Sequence, residues 1–167
     1  MGISLKFDTS KEAVVLLIVC NNKLMLTKYK FENIWVMATT QGAVLNEGDD
    51  PSQKITEVVK EQLGISLVPK YACTVVSYIN KTMPDGRVRL TSPIYLLDIT
   101  EKTKSQIKDD DPPTWLTLEE INESQIIRED DKLIFSRILQ KNFEDLILDV
   151  VQMGKWGRPK LIAWSVA

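Results

Sequence analysis

The chain has 167 residues, of which 44% are hydrophobic and 26% charged, a composition typical of one folded domain and not of a disordered chain. Its 21 basic and 23 acidic residues give a net charge of −2, which argues against binding duplex DNA by neutralising many phosphates. There are no histidines, so Ser-His-Asp catalysis, Cys-His catalysis and histidine-ligated zinc sites are excluded.

The cysteines and the apolar runs indicate where the chain resides. Cys20 and Cys73 lie far apart in apolar segments, which predicts buried free thiols in a reducing compartment. No apolar run approaches the roughly 20 residues that span a bilayer, and the polar start Met1–Thr9 lacks the apolar region of a secretion signal. We expect a cytoplasmic protein without a membrane partner.

The first third of the chain predicts strands. The apolar run Ala13–Cys20 is typical of a buried strand. Asn21 and Asn22 suit a tight hairpin turn because asparagine tolerates positive φ, and Lys23–Tyr29 then forms the returning strand. A further short strand is expected within Phe31–Thr40.

A helix with both ends marked follows a glycine- and acid-containing loop. Asp50 is a predicted N-cap and Pro51 suits the first helical position. The segment Ser52–Leu63 carries an apolar face, and Gly64 is the expected stop.

The remainder alternates strands and helices. Strands are predicted over Tyr71–Asn80, Arg87–Ile99 and Leu161–Ala167, a turn over Met83–Gly86, a capping box over Thr117–Glu120 and a long helix over about 131–151. We expect a single α+β domain over 1–167, an α/β/α sandwich on a mixed sheet, with a tail over 152–167.

The segment Gly42–Ile65, GAVLNEGDDPSQKITEVVKEQLGI, resembles the box of the Nudix (MutT-like) pyrophosphohydrolases, G-x5-E-x7-R-E-U-x-E-E-x-G-U, in which U is bulky and apolar. Aligned without a gap, Gly42 and Ala43 take the positions of the usual glycine pair, and Gly48 and Asp49 take those of the loop glycine and glutamate. Glu57 takes the position of the arginine, and the three helix glutamates are replaced by or retained as Val58, Glu61 and Gln62. Gly64 and Ile65 end the box. Trp35 before the glycines, and the segment Trp115–Ile121, resemble features that the family carries outside the box.

The resemblance implies a nucleotide-like ligand, namely a nucleoside diphosphate linked to another group, and Mg²⁺ or Mn²⁺ held by helix carboxylates if the protein is active. Mg²⁺ prefers oxygen ligands, yet Val58 offers none and Gln62 offers a neutral amide oxygen. Glu57 reverses the charge of the family arginine. The box is therefore degenerate at its charged positions.

Glu61 is the candidate catalytic residue, and Glu61, Asp49, Gln62 and Asp110 are the candidate metal ligands. Glu61, Asp49 and Asp110 each have a structural alternative. Val58 is expected to extend the core or to form the floor of an apolar pocket. Glu61 suits a solvated helix surface, Asp49 a helix-capping role, and Asp110 a solvated acidic run.

The candidate substrate-binding residues are Lys28, Trp35, Gly42, Ala43, Arg87 and Arg89. Arg87 and Arg89 lie two apart on one strand and so share a face. The basic side chains suit a solvated surface equally well, and the aromatic ones suit the core.

Two functions remain open. The favoured one is a Nudix-superfamily protein whose pyrophosphohydrolase activity is weak or lost, so that it binds a nucleotide or docks a protein partner or a second copy. The alternative is an active, divergent hydrolase that uses Mg²⁺ or Mn²⁺.

Overall fold

The computed structural model describes residues 9–31, 34–39, 41–81, 86–108, 112–152 and 159–167. The strands in this part of the chain are β1 (Thr9–Cys20), β2 (Lys23–Phe31), β3 (Ile34–Ala38), β4 (Gly42–Leu45), β5 (Lys70–Lys81), β6 (Gly86–Asp98), β7 (Thr114–Leu116), β8 (Leu146–Gln152) and β9 (Lys160–Val166). The helices are α1 (Pro51–Val58), continued by a π-helical turn (Val59–Leu63), α2 (Glu101–Lys104), α3 (Leu118–Glu123) and α4 (Glu129–Leu139).

The nine described strands form one mixed sheet. Its order is β3-β2-β1-β6-β5-β8-β9, with β4 paired to β1 and β7 paired to β2. The β1–β6 and β5–β8 pairs are parallel, and the other pairs are antiparallel. The predicted mixed sheet is confirmed.

The central strand β1 is buried on both faces because helices cover each side of it. Leu16 and Ile18 join a cluster that includes Ile55 and Val59 of the α1 segment. Leu17 belongs to a second cluster, on the opposite face, with residues of α3 and α4. The predicted α/β/α layering follows from this alternation.

The hairpin turn and the helix ends match their predictions. Asn21 and Asn22 have φ of 51° and 60°. The Asp50 side chain accepts a hydrogen bond from the Ser52 N–H, which caps α1. Gly64 ends the helix with φ of 68°, but the last turn is π-helical, which the apolar pattern did not predict.

The predicted helix over about 131–151 is wrong in its second half. α4 ends at Leu139, and Lys141 adopts a left-handed φ of 58°. Leu146, Leu148 and Val150 are buried while Asp149 between them is exposed, which is the alternation of a strand. Their parallel pairing with β5 buries them against the α4 side of the sheet.

A buried ion pair opens α4. The Arg128 guanidinium donates to both Asp130 oxygens, at 3.2 and 2.7 Å, and Asp130 is 6% exposed. Burial, and then the Asp130 carboxylate, raise the pKa of Asp131, while Arg128 partly opposes this. In the folded chain Asp131 keeps its proton to a higher pH than it does in the unfolded chain. Asp131 therefore lowers the free energy of unfolding as the pH rises past the ordinary carboxyl range.

The buried thiols are confirmed for both cysteines, which are free. Burial, followed by the Asp145 charge, raises the pKa of Cys73 to about 11, and burial also raises the pKa of Cys20. These thiols stay protonated and are poor nucleophiles.

Some predictions fall outside the described residues. The turn residues 83–85, the acidic residues 109–111 with the candidate ligand Asp110, and residues 153–158 of the tail are among them. Within the described ranges, no helix is long and apolar enough to cross a membrane.

Candidate functional site

Gly42 brings two backbones into close contact at the start of the box. β4 pairs with β1, with Gly42 opposite Val15. A Cβ on Gly42 would lie 2.6 Å from the Val14 carbonyl oxygen. A glycine is therefore required here by space.

We expect Gly42→Ala to lower the free energy of unfolding by about 3 kcal/mol, the upper part of the usual cost of overpacking. The matched control is Gly48→Ala, because Gly48 has φ of +85° and nothing within 4 Å of an added Cβ. That change should cost about 1 kcal/mol, the strain of a left-handed alanine. Urea unfolding of both variants measures the difference, and equal losses would contradict the close contact at Gly42.

The box loop uses its acidic residues to hold its own backbone. The Asp49 carboxylate accepts the Asn46 N–H at 2.8 Å, and the Asp50 carboxylate accepts the Ser52 N–H at 3.0 Å. Asp49 precedes the helix, whereas Glu61 and Gln62 lie in its last turn. At 1.5 Å per residue this separates them by roughly 18 Å, so the structure does not bring Asp49 to Glu61 or Gln62.

The helix buries one of the three carboxylate positions. Val58 is 6% exposed and belongs to the α1-side cluster with Leu16 and Ile55. Glu57, Glu61 and Gln62 are exposed. The core role predicted for Val58 is confirmed.

The side chains at these positions do not fit the divalent metal that the family uses. Val58 has no donor atom, and Gln62 supplies a neutral oxygen where a hard dication prefers carboxylates. Among the described residues, no group of three or more acidic or cysteine side chains is placed to hold a metal ion. We therefore derive no catalytic step through a metal at this helix.

The backbone of Lys108 lies close to the end of the same helix. The Lys108 N–H donates to the Leu63 carbonyl oxygen at 2.9 Å, and Asp109–Asp111 follow directly in the sequence. Lys108 therefore lies beside the turn that carries Glu61.

Arg87 and Arg89 lie on the α1 side of the sheet. Both arginines lie an even number of residues from Tyr95 on β6 and so point to the same face as Tyr95, which belongs to the α1-side cluster. Arg89 pairs with Ser10 of β1 and with Tyr78 of β5. Arg89 lies opposite Ser10 and Gly42 lies opposite Val15. These two positions of β1 are about 16 Å apart along the strand. The arginines share a face with the box helix without clustering at Glu61.

Lys28 and Trp35 come together on the opposite face. The Lys28 and Lys30 ammonium groups lie 4.9 and 5.3 Å from the centre of the Trp35 ring. These lysines point to the same face of β2 as Leu24 and Leu26, which belong to the cluster beneath α3 and α4. Ala43, in contrast, packs against the α1-side cluster.

A concavity of about 690 Å³ lies between the start of β1 and the box loop. Its lining includes Glu12, Glu47 and Asp49 against a single basic residue, Lys11. Since the charged residues of the lining are mostly acidic, the concavity is a poor site for phosphate.

Tyr71 is a surface aromatic residue that the sequence pattern did not indicate. Its ring lies 5.6 Å from that of Tyr95 in an edge contact, and it is exposed beside α1. The strand register could have indicated it, because Tyr71 pairs with Tyr95 across the β5–β6 hairpin.

Comparison with solved structures identifies the architecture. A MutT protein from Bacillus halodurans superposes with a TM-score of 0.63 at 14% identity, over 93% of this chain and 97% of that one. A MutT protein from Methanosarcina mazei gives 0.58 at 18% identity, over 83% and 99%. A MutT Nudix hydrolase from Burkholderia pseudomallei gives 0.52 at 13% identity, over 77% and 98%.

The chain has the Nudix fold. No protein-family profile and no curated sequence matches it, so the relationship is visible in the three-dimensional structure and in the spacing of the box. Identities of 14% and 18% leave function to be argued from the site itself. The Nudix fold places the box on β4, the loop and α1, as the sequence resemblance implied.

Proposed function

We propose that this Nudix-fold chain binds a nucleoside diphosphate derivative and has weak or no pyrophosphohydrolase activity. The observation that carries the proposal is the burial of Val58 among apolar side chains at a position where the box has a carboxylate. A buried valine offers the metal no ligand, and an exposed amide at Gln62 offers a weak one.

The charge pattern on the helix supports the same conclusion. Glu57 takes the place of the box arginine, so it repels the carboxylates that an arginine would pair. Glu61 alone keeps the acidic character of the metal positions. Loss of an interaction worth 1.36 kcal/mol in the transition state slows a reaction tenfold, so losing two ligands should slow it by several orders of magnitude.

We propose that the ligand binds on the α1 side of the sheet. Arg89 is exposed there, with Tyr78 beside it on the neighbouring strand. A guanidinium matches the fork of phosphate oxygens, and an aromatic ring can stack on a base. Lys28 and Trp35 lie on the other side and are expected to contribute little.

The test measures binding and turnover together. Melting temperatures are recorded with ADP, GDP, UDP-glucose and ADP-ribose, each with EDTA and with Mg²⁺ or Mn²⁺, and release of product is followed in the same samples. A ligand present at 100 times its dissociation constant should stabilise the fold by about 2.7 kcal/mol. We expect stabilisation without metal and little or no turnover.

Two matched variants make the test specific. Arg89→Ala should abolish the ligand-induced shift, whereas Lys28→Ala should keep it. If none of the four compounds shifts the melting temperature, or if Lys28→Ala alone abolishes the shift, the proposed binding face is wrong. Metal-dependent turnover that Glu61→Gln removes would contradict the loss of activity.

One observation favours the second candidate, an active divergent hydrolase. The Lys108 N–H donates to the Leu63 carbonyl oxygen, in the helix turn of Glu61, and Asp109–Asp111 follow Lys108 in the sequence. Carboxylates from that run could complete a ligand set with Glu61. In that case, turnover in the same panel should fall with Asp110→Asn as well as with Glu61→Gln.

A further inference from the structure

β9 ends the described sheet; the Leu161 N–H near its start donates to the Glu129 carboxylate at 3.0 Å, and backbone groups nearer its end face outward. β9 pairs with β8 on one side, and no other described strand lies beyond it. The Ala167 N–H donates to the Asp145 carbonyl oxygen at 3.0 Å. Because hydrogen-bonded and non-hydrogen-bonded pairs alternate in an antiparallel ladder, Trp164 and Val166 direct their N–H and C=O groups away from β8.

The side chains of this edge are apolar and exposed. Ile162, Trp164 and Val166 are 63%, 48% and 45% exposed. In the sequence of β9, KLIAWSV, the one charged residue is the first. Edge strands of monomeric proteins are commonly protected by charges, prolines or bulges. β9 has no charge or proline after Lys160, and its one register shift, opposite Asp149 and Val150, lies before Trp164.

The opposite edge of the sheet, β3, is partly covered by a neighbouring segment. The Met37 N–H of β3 donates to the Ile126 carbonyl oxygen at 3.1 Å, so a neighbouring segment covers part of that edge. Lys28 and Lys30 place positive charge over Trp35 on the adjoining strand. β9 is therefore the better template for an added strand.

Trp164 is already held in position for a contact. The Arg137 guanidinium lies 5.4 Å from the centre of its ring, and Arg137 is itself within 3.7 Å of the Glu144 carboxylate. A side chain ordered before association loses less entropy when it binds. Exposed tryptophans of this kind often dominate the binding energy of an interface.

The charges near β9 select the kind of partner. Lys160 lies at the beginning of the strand, and Glu144 and Asp145 lie beside its end, where Asp145 bonds to Ala167. A second β9 strand running antiparallel would bring each Lys160 toward the acidic pair of the other copy. A two-fold axis near Trp164 would also place apolar side chains against apolar side chains, as an isologous interface requires.

We propose that two copies of this chain associate through β9, forming an antiparallel strand pair that joins their sheets around Trp164. The outward N–H and C=O groups of Trp164 and Val166 are satisfied by the partner strand, and the exposed apolar surface is covered. The proposal does not depend on the ligand or on residual hydrolase activity.

Sedimentation velocity of the full chain from about 1 μM to 1 mM, a range that covers weak and moderate dimers, tests the proposal. We expect a dimer whose dissociation constant rises roughly 30-fold or more in Trp164→Lys, the effect of losing a central anchor. Ile162→Lys, a second exposed position of β9, should weaken the dimer as well. Far-UV circular dichroism and melting temperature establish that each variant is folded.

The matched control is Trp35→Lys. Trp35 is 47% exposed, close to the exposure of Trp164, and lies on the other edge strand. This variant should dimerise like the parent chain. A parent chain that stays monomeric up to 1 mM, or a dimer that Trp35→Lys weakens as much as Trp164→Lys, would overturn the proposal.

Discussion

Restoring the two missing carboxylates with Val58→Glu and Gln62→Glu should create Mg²⁺ binding at a cost in stability. Val58 is 6% exposed among apolar side chains, so a glutamate there buries an unpaired charge. Such a charge costs roughly 3–5 kcal/mol in a protein interior. In EDTA the double variant should therefore unfold at a much lower urea concentration than the parent chain.

Mg²⁺ should recover much of that loss, because an ion bound by Glu61 and the two introduced carboxylates would compensate the buried charge. The recovery would be about 2.7 kcal/mol at 100 times the dissociation constant. Urea titrations with and without Mg²⁺, and calorimetric titration of the metal, measure the effect. The control Val58→Gln with Gln62→Glu has a similar shape but lacks one charge, and its stability should respond less to Mg²⁺.

If the double variant gains no Mg²⁺ affinity, then position 58 does not face the same ligand as positions 61 and 62. The π-helical turn at Val59–Leu63 gives this outcome a physical basis. A wider turn rotates the later positions relative to Val58, so spacings that share a face in an α-helix need not do so here.

Removing the guanidinium of Arg128 should strongly destabilise the fold. Arg128 donates to both oxygens of Asp130, whose side chain is 9% exposed while that of Arg128 is 36% exposed. Breaking a fully buried pair costs about 3–5 kcal/mol, and the partial exposure of Arg128 reduces this to about 2–4 kcal/mol for Arg128→Met. The loss should shrink as the pH falls, because burial and then the Asp130 carboxylate raise the pKa of Asp131 while Arg128 opposes this, and a protonated Asp131 no longer needs the guanidinium.

Urea unfolding between pH 4 and pH 8 measures this effect. The control is Lys104→Met, which removes an ion pair of 3.8 Å to Glu101 at a more exposed site. An exposed pair contributes less than about 1 kcal/mol. If both variants lose the same free energy, or if the loss for Arg128→Met does not change with pH, the ion pair does not stabilise α4 in this way.

The local signals in the sequence were sufficient for much of the fold. The Asn21-Asn22 turn and the α1 cap at Asp50 depend on backbone preferences of single residues, and both are confirmed. The segment after α4 depended on tertiary pairing instead. Leu146 and Val150 fit one side of a helix and one side of a strand equally, and it is the pairing with β5 that decides for the strand.

The candidate site was predictable in its sequence position but not in its geometry. The spacing of Gly42, Gly48 and Gly64 located the box on β4, the loop and α1. Which face each side chain occupies depends on the register of strands that are distant in sequence. For this reason the sequence placed Lys28 with Arg89, whereas the sheet puts them on opposite sides.

The parallel pairing of β1 with β6 also determines how the chain must fold. Val15 pairs with Ile94, so this contact closes a long loop. The chain loses the conformational entropy of that loop before the strand pairing stabilises it. During synthesis, the apolar strand β1 leaves the ribosome well before β6 exists. Until β6 arrives, the edge of β1 that pairs with β6 is open to pairing with other chains.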